Sequence, residues 1–195
     1  MKHQLIFFST VLATLLTAFA QTPPSDAAMA KLSCMPFGTL EKRADLKSSG
    51  YRMDSVTVSE ADAAELPPGV DRGIKLKSVA LPGGGKGDCT VGKTLSPEFK
   101  MLGAWFYISP DTTVDRIGFQ IQEAGGEYFL LTFPGDFTGW KWLEGPREDI
   151  RPMIPVDKSG HDGIFDQPPN RVSVVWFVKN ENPSEIGVAA LTQGE

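Results

Sequence analysis

The chain has 195 residues, with 24 acidic against 19 basic side chains and a net charge of −5. That length suits one domain with a sizeable core, and the acidic balance argues against nucleic acid and anionic membrane surfaces as partners. No segment after the N-terminal leader is apolar for long enough to cross a bilayer as a helix, so the chain is not expected to span a membrane.

Residues 1–20, MKHQLIFFSTVLATLLTAFA, combine a short basic start, an apolar run from Leu5 to Leu16 and small residues at Ala18 and Ala20. This is the pattern of a secretory signal peptide with cleavage before Gln21, and it implies a secreted protein, periplasmic or extracellular. Residues 21–31 are polar and proline-bearing and read as a flexible lead, which leaves 32–195 as a single domain. Cys34 follows the apolar run too distantly to be a lipid anchor. In an oxidising compartment Cys34 and Cys89 are expected to form a disulfide. Closing that loop would stabilise the fold by about 4 kcal/mol in the chain-entropy view.

From residue 32 onward the pattern is that of strands. YRMDSVTVSE and GIKLKSVAL are two candidates, separated by ELPPGVDR, and SEADAAEL (59–66) suits one short helical turn. LPGGGKGDCTVGKTLSPE (81–98) reads as a glycine-rich loop without phosphate-cradle spacing. GAWFYIS (103–109), RIGFQIQEA (116–124), EYFLLTFP (127–134) and GWKWLEG (139–145) follow, rich in β-branched and aromatic residues. After a long proline-bearing loop over 144–170 come RVSVVWFVK (171–179) and EIGVAALTQ (185–193). Eight short strands in one domain predict an all-β fold, a β-sandwich or jelly roll.

Alternation along the strands assigns faces. In RIGFQIQ, Ile117, Phe119 and Ile121 form the core set and Gln120 and Gln122 face outward. In GAWFYIS, Ala104, Phe106 and Ile108 oppose Trp105 and Tyr107. GWKWLEG sets Trp140, Trp142 and Glu144 against Lys141 and Leu143, and either set suits the core. With Leu143 buried and the strands adjacent, Trp105, Tyr107, Gln120, Gln122, Trp140, Trp142 and Glu144 would share one outer face. Rings interleaved with amides and an acid suit a sugar, whose C–H surface packs on a ring while its hydroxyls seek bidentate partners. Tyr128 and Trp176 are assigned to the core, where large aromatics usually lie.

Residues 102–145 resemble the central part of galactose-binding-like jelly-roll modules, the fold of many carbohydrate-binding modules attached to secreted glycosidases. The likeness rests on Trp105, on EAGGE at 123–127 and on DFTGWK at 136–141, with looser matches in FGTLE (37–41) and DRGIKLK (71–77). It implies a binder of polysaccharide or glycan, and in that pattern Trp140 is a fold signature whereas Trp142 is not demanded. Many such modules hold a structural calcium, but here Ala189 and Ala190 stand where late acidic ligands would be, leaving Glu41 and Asp88 as candidate oxygen donors. No cofactor and no metal site is expected otherwise.

Catalysis has little support. Ser159, His161 and Asp162 lie within one loop and cannot converge as a triad normally does. Asp157, His161, Asp162 and Asp166 match no metal-ligand spacing, and Glu144, Glu148 and Asp149 are the available carboxylates for glycoside cleavage. The expected function is therefore non-catalytic glycan binding. A docking module in a surface complex, or beside a partner enzyme, is the alternative, and a small polysaccharide lyase or hydrolase is a third.

Overall fold

The computed structural model of the protein describes residues 32–34, 48–90, 95–154 and 162–194. Twelve strands occur among them: β1 (Leu32–Cys34), β2 (Ser48–Tyr51), β3 (Met53–Glu60), β4 (Gly73–Ala80), β5 (Gly85–Thr90), β6 (Met101–Ile108), β7 (Arg116–Glu123), β8 (Tyr128–Pro134), β9 (Gly139–Pro146), β10 (Arg151–Pro152), β11 (Pro169–Val178) and β12 (Ser184–Gly194). All eight strand segments expected from the sequence form, and the helical turn expected near 59–66 is a short 3-10 turn, Ala63–Glu65, capped by Asp62 Oδ1 accepting from the Ala64 N–H at 2.9 Å. Residues 1–31, FGTLE at 37–41, and Asp157, Ser159 and His161 lie outside the described residues.

The strands form two antiparallel sheets. The front sheet runs β3-β4-β12-β6-β9, with β1 also paired to β12, and the back sheet runs β10-β8-β7-β11-β5-β2. Arg52, at φ 58°, turns the chain from β2 in the back sheet into β3 in the front sheet. Alternation then decides what lies between the sheets. Leu102, Ala104, Phe106, Ile108, Leu76, Ile186 and Val188 of the front sheet meet Ile117, Phe119, Ile121, Phe129, Val172, Val174 and Trp176 of the back sheet in one core. Phe106 and Phe119 touch across it edge to face, with centroids 5.2 Å apart. A buried polar tie accompanies them: the Trp176 indole N–H donates to Ser78 Oγ at 2.9 Å, and Ser78 Oγ pairs with Ser184 Oγ at 2.7 Å.

The glycine-rich stretch at 81–98 is not only a loop, since β5 lies within it and pairs with both β11 and β2. Gly87 explains the composition. It faces Trp176 across the β5–β11 ladder, and a Cβ there would stand 2.1 Å from the Trp176 ring. Cys89, two residues on, is fully buried and carries a free thiol. The Cys34–Cys89 disulfide expected from the sequence is therefore not formed; Cys34 pairs with Thr192 in the front sheet, whereas Cys89 belongs to the back sheet. Burial, with the Asp88 charge adding, pushes the Cys89 thiol up to about 12, so it remains protonated and inert at neutral pH.

Candidate functional site

Leu143 is buried in the core, which settles the face of β9: Trp140, Trp142 and Glu144 point to the outer side of the front sheet. The antiparallel pairing of β6 and β9 places Trp105 opposite Trp142, Tyr107 opposite Trp140 and Gly103 opposite Glu144. Cross-strand partners on one face lie close enough to touch. The Trp105 and Trp142 rings meet at 5.8 Å and 69°, and Tyr107 and Trp140 at 5.4 Å and 47°. Trp105 is only 5% exposed yet stands outside the core cluster, whereas Tyr107, Trp140 and Trp142 are half-buried and Glu144 is exposed.

The rings lie low on the sheet because glycines make room beneath them. A Cβ on Gly103 would stand 2.8 Å from Trp142 Cζ2, and one on Gly187 would stand 3.1 Å from Trp140 Cη2. The Trp142 indole N–H donates to Glu144 Oε2 at 2.8 Å, which fixes the ring and one carboxylate oxygen together. The Trp140 indole N–H is buried without a partner. Such an orphan costs about 1–3 kcal/mol, so the position of Trp140 is set by ring packing on Tyr107 and Gly187 and not by its polar atom.

A polar half completes the face. Across β12, the row of Tyr107 continues through Gly187 to Lys75 on β4, whose ammonium lies 5.0 Å from the Tyr107 ring centre. Lys75 is bonded to Glu65 from the 3-10 turn and to Glu185 at 3.2 Å, while Lys77 reaches Glu185 at 3.1 Å. The bond to Glu65, opposed by burial and aided by Glu185, holds the Lys75 ammonium above its usual range. Burial alone would raise the Glu185 carboxyl, but the hydrogen bonds from Lys77 and Lys75 outweigh it and hold that group below the ordinary carboxylate range. Lys75, Glu65 and Glu185 were not among the residues singled out from sequence. Alternation in GIKLKSVAL does place both lysines outward, but nothing local says that β4 lies two strands from β6.

Five of the seven expected site residues come together: Trp105, Tyr107, Trp140, Trp142 and Glu144. Gln120 and Gln122 do not join them, because β7 belongs to the back sheet and their side chains leave its opposite side. Gln120 is 6% exposed and accepts from the Lys86 ammonium at 2.5 Å, and Lys86 also lies 3.6 Å from Asp88. Tyr128 is likewise corrected: Phe129 and Leu131 of β8 fill the core, and Tyr128 is half-buried on the outward register of the back sheet. Trp176 is in the core as expected. Glu148 and Asp149 sit in a 3-10 turn after β9. Among the described residues no group of three or more His, Cys, Asp or Glu side chains could hold a metal ion; Glu41 is outside them.

The fold is that of the β-sandwich carbohydrate-binding modules. The family 11 module of a cellulosomal cellulase from Clostridium thermocellum matches with a TM-score of 0.55 at 14% identity, over 84% of this chain and 95% of that one. A module described for mannan recognition matches at TM-score 0.50 and 10% identity, over 83% of this chain and 95% of that one. A further module, from a study of promiscuous specificity in the β-sandwich superfamily, matches at 0.55 and 15% identity over 77% of this chain, which spans 57% of that structure's length. No protein-family model matches the sequence, and no curated protein matches it significantly, so the likeness is one of fold.

Proposed function

We propose that the protein is a secreted, non-catalytic glycan-binding module that takes a sugar chain on the outer face of its front sheet. The observation that carries this reading is the pair of cross-strand aromatic contacts, Trp105 with Trp142 and Tyr107 with Trp140, held on the solvent side of the sandwich. Solvent-facing rings of this kind are costly unless something covers them, and a pyranose presents a matching apolar C–H surface. Glu144, Lys75 and Glu185 stand beside the rings and supply hydrogen-bonding groups for hydroxyls, which favours a sugar over a purely apolar protein partner.

Trp142 is the contact residue in this reading, and nearly buried Trp105 is the base that positions it. Modules of the same fold include one solved with a β-1,3-1,4-mixed-linked tetrasaccharide and one described for mannan recognition, which supports a polysaccharide as the ligand here. The signal-like N-terminus supports export, where such polymers are met. Affinity gels and titration calorimetry with mixed-linked β-glucan and mannan test the proposal. Binding that Trp142→Ala weakens by more than about tenfold is expected, equivalent to about 1.4 kcal/mol. Unchanged binding in that variant would remove the aromatic face from the function.

A further inference from the structure

The outer face of the front sheet does not end at the rings. Moving along the strands past Tyr107, Gly187 and Lys75, the next outward positions are Ser109 after β6, Glu185 on β12, Lys77 on β4 and Thr57 on β3. Beyond them, Ser55 stands opposite Val79. There the surface sinks into a cavity of about 410 Å³, lined on its polar side by Ser55, Thr57, Lys77, Ser109, Asp111 and Glu185. Val79 and Pro183 give it an apolar wall. Each outward step along a strand covers two residues, or about 6.8 Å, and each strand crossed adds about 4.8 Å, so the diagonal track from Trp105 on β6 to Ser55 on β3 is about 25 Å long.

Two properties of this cavity bear on what enters it. First, part of its polar lining is already ordered. The Glu185 N–H donates to Thr112 Oγ1 at 2.8 Å, and the Glu185 carboxylate is held by both lysines. Among the described residues the side chains of Ser55, Ser109 and Asp111 have no partner, so their donors and acceptors are available to a ligand. Second, neither lysine is free. Lys75 is engaged by Glu65 and Glu185, and Lys77 by Glu185, while Asp111 and Glu144 add negative charge at either end of the track.

From these observations we infer that the cavity is a second subsite of the same glycan site, and that the ligand is a neutral, linear oligosaccharide or polysaccharide segment longer than a disaccharide. One sugar stacks on Trp142, which Trp105 supports from below, next to the Tyr107–Trp140 pair. Later units in the same chain place their hydroxyls first on Asp111 and Ser109 and then on Ser55. Among the described residues a uronate or sulfated chain meets no unpaired cation on this track, where Lys75 and Lys77 are both paired, and it is repelled by Asp111 and Glu144. The inference rests on the glycan-binding reading above and adds to it the length and charge of the ligand and the residues that read its far end.

Calorimetry with mixed-linked gluco-oligosaccharides and β-1,4-manno-oligosaccharides, from disaccharide to hexasaccharide, tests it in the intact mature protein. Wild-type affinity rises with chain length until the cavity is reached. A Ser109→Ala, Asp111→Ala double variant keeps the disaccharide affinity, which also reports an intact fold, and loses about tenfold for the long chains, the scale of one or two hydrogen bonds. Equal affinity of the double variant and wild type for the hexasaccharide, with Trp142→Ala still defective, overturns the second subsite and leaves the function standing. Oligogalacturonate binding as tightly as the neutral chains overturns the assignment of charge. Absence of binding to every neutral chain by the wild type overturns both readings.

Discussion

Trp105 and Trp142 touch, but the loss of each has a different consequence. Trp105 is 5% exposed, packed between Trp142 and the Ala189 row, so its removal leaves a hole that the sheet cannot readily fill. Truncating a buried Trp typically costs about 3–5 kcal/mol. Trp142 lies half-exposed over Gly103, and its truncation forfeits only part of that burial together with the bond to Glu144, about 1–2 kcal/mol. Urea denaturation should therefore separate the two: Trp105→Ala lowers the midpoint strongly, whereas Trp142→Ala lowers it slightly while removing most glycan affinity. A Trp142→Ala loss of stability as large as that of Trp105→Ala would mean that the ring serves the fold and not a ligand.

At the scale of elements, β12 carries a local irregularity that the pairing explains. Its register against β6 shifts between Ala189 and Thr192, and Ala190 within the shift sits at φ 49°. A left-handed backbone at a non-glycine residue costs about 1–2 kcal/mol, so Ala190→Gly is expected to raise stability by about 1 kcal/mol by denaturant titration, glycine's extra unfolded-state entropy taking back part of the relief. A second element-scale expectation concerns the segment after residue 162, which is pinned to the end of β7. Glu123 there is fully buried, accepts from the Gln167 N–H at 2.9 Å through Oε1, and has Oε2 without a partner. Burial, reinforced by the Asp166 and Glu127 charges, raises its carboxyl above the ordinary range. A raised carboxyl stabilises the folded state below its unfolded value, and that contribution is lost as pH rises through the folded value. Glu123→Gln keeps the acceptor for Gln167 and removes the buried charge. The variant should be more stable than wild type at pH 7, with the difference in urea midpoint shrinking as the pH falls toward the ordinary glutamate range. A difference that is flat across that window would exclude the carboxyl as its source.

Legibility follows from the same elements. β6, β7, β8 and β11 were readable because β-branched and aromatic residues alternate in them, and alternation also gave the inward sets around Phe106 and Phe119. β5 was not, because Gly87 answers to Trp176, a partner 89 positions away in the chain, and Gly85 to the Arg52 and Met53 segment, and not to local strand preference. The division into sheets was equally hidden. β6 and β7 are consecutive, yet β6 pairs with β9 and β12 and β7 with β8 and β11, which moved Gln120 and Gln122 away from the tryptophans. Which strands share a sheet is decided by long-range pairing, and a face assembled from several strands inherits that dependence.

For the whole molecule, the proposed site spans every long strand of the front sheet, from β9 through β6, β12 and β4 to β3. A ligand bound across five strands holds the folded state only, so binding and global stability are linked by mass action. At a hundredfold excess over Kd a neutral oligosaccharide should add about 2.7 kcal/mol, which for a domain of this size raises Tm by roughly 5–10 °C. Both lysines on the track are already paired within the protein, so the shift should be nearly the same in dilute buffer and in molar salt, unlike that of a ligand held by long-range charge. Trp142→Ala at the same glycan concentration should show about half the shift or less, because a tenfold weaker Kd leaves at most about 1.4 kcal/mol, and the Ser109→Ala, Asp111→Ala variant should show a reduced one only with long chains. Differential scanning calorimetry at two ionic strengths measures all three together, and a shift that collapses in salt would assign the binding to charge instead of to rings and hydroxyls.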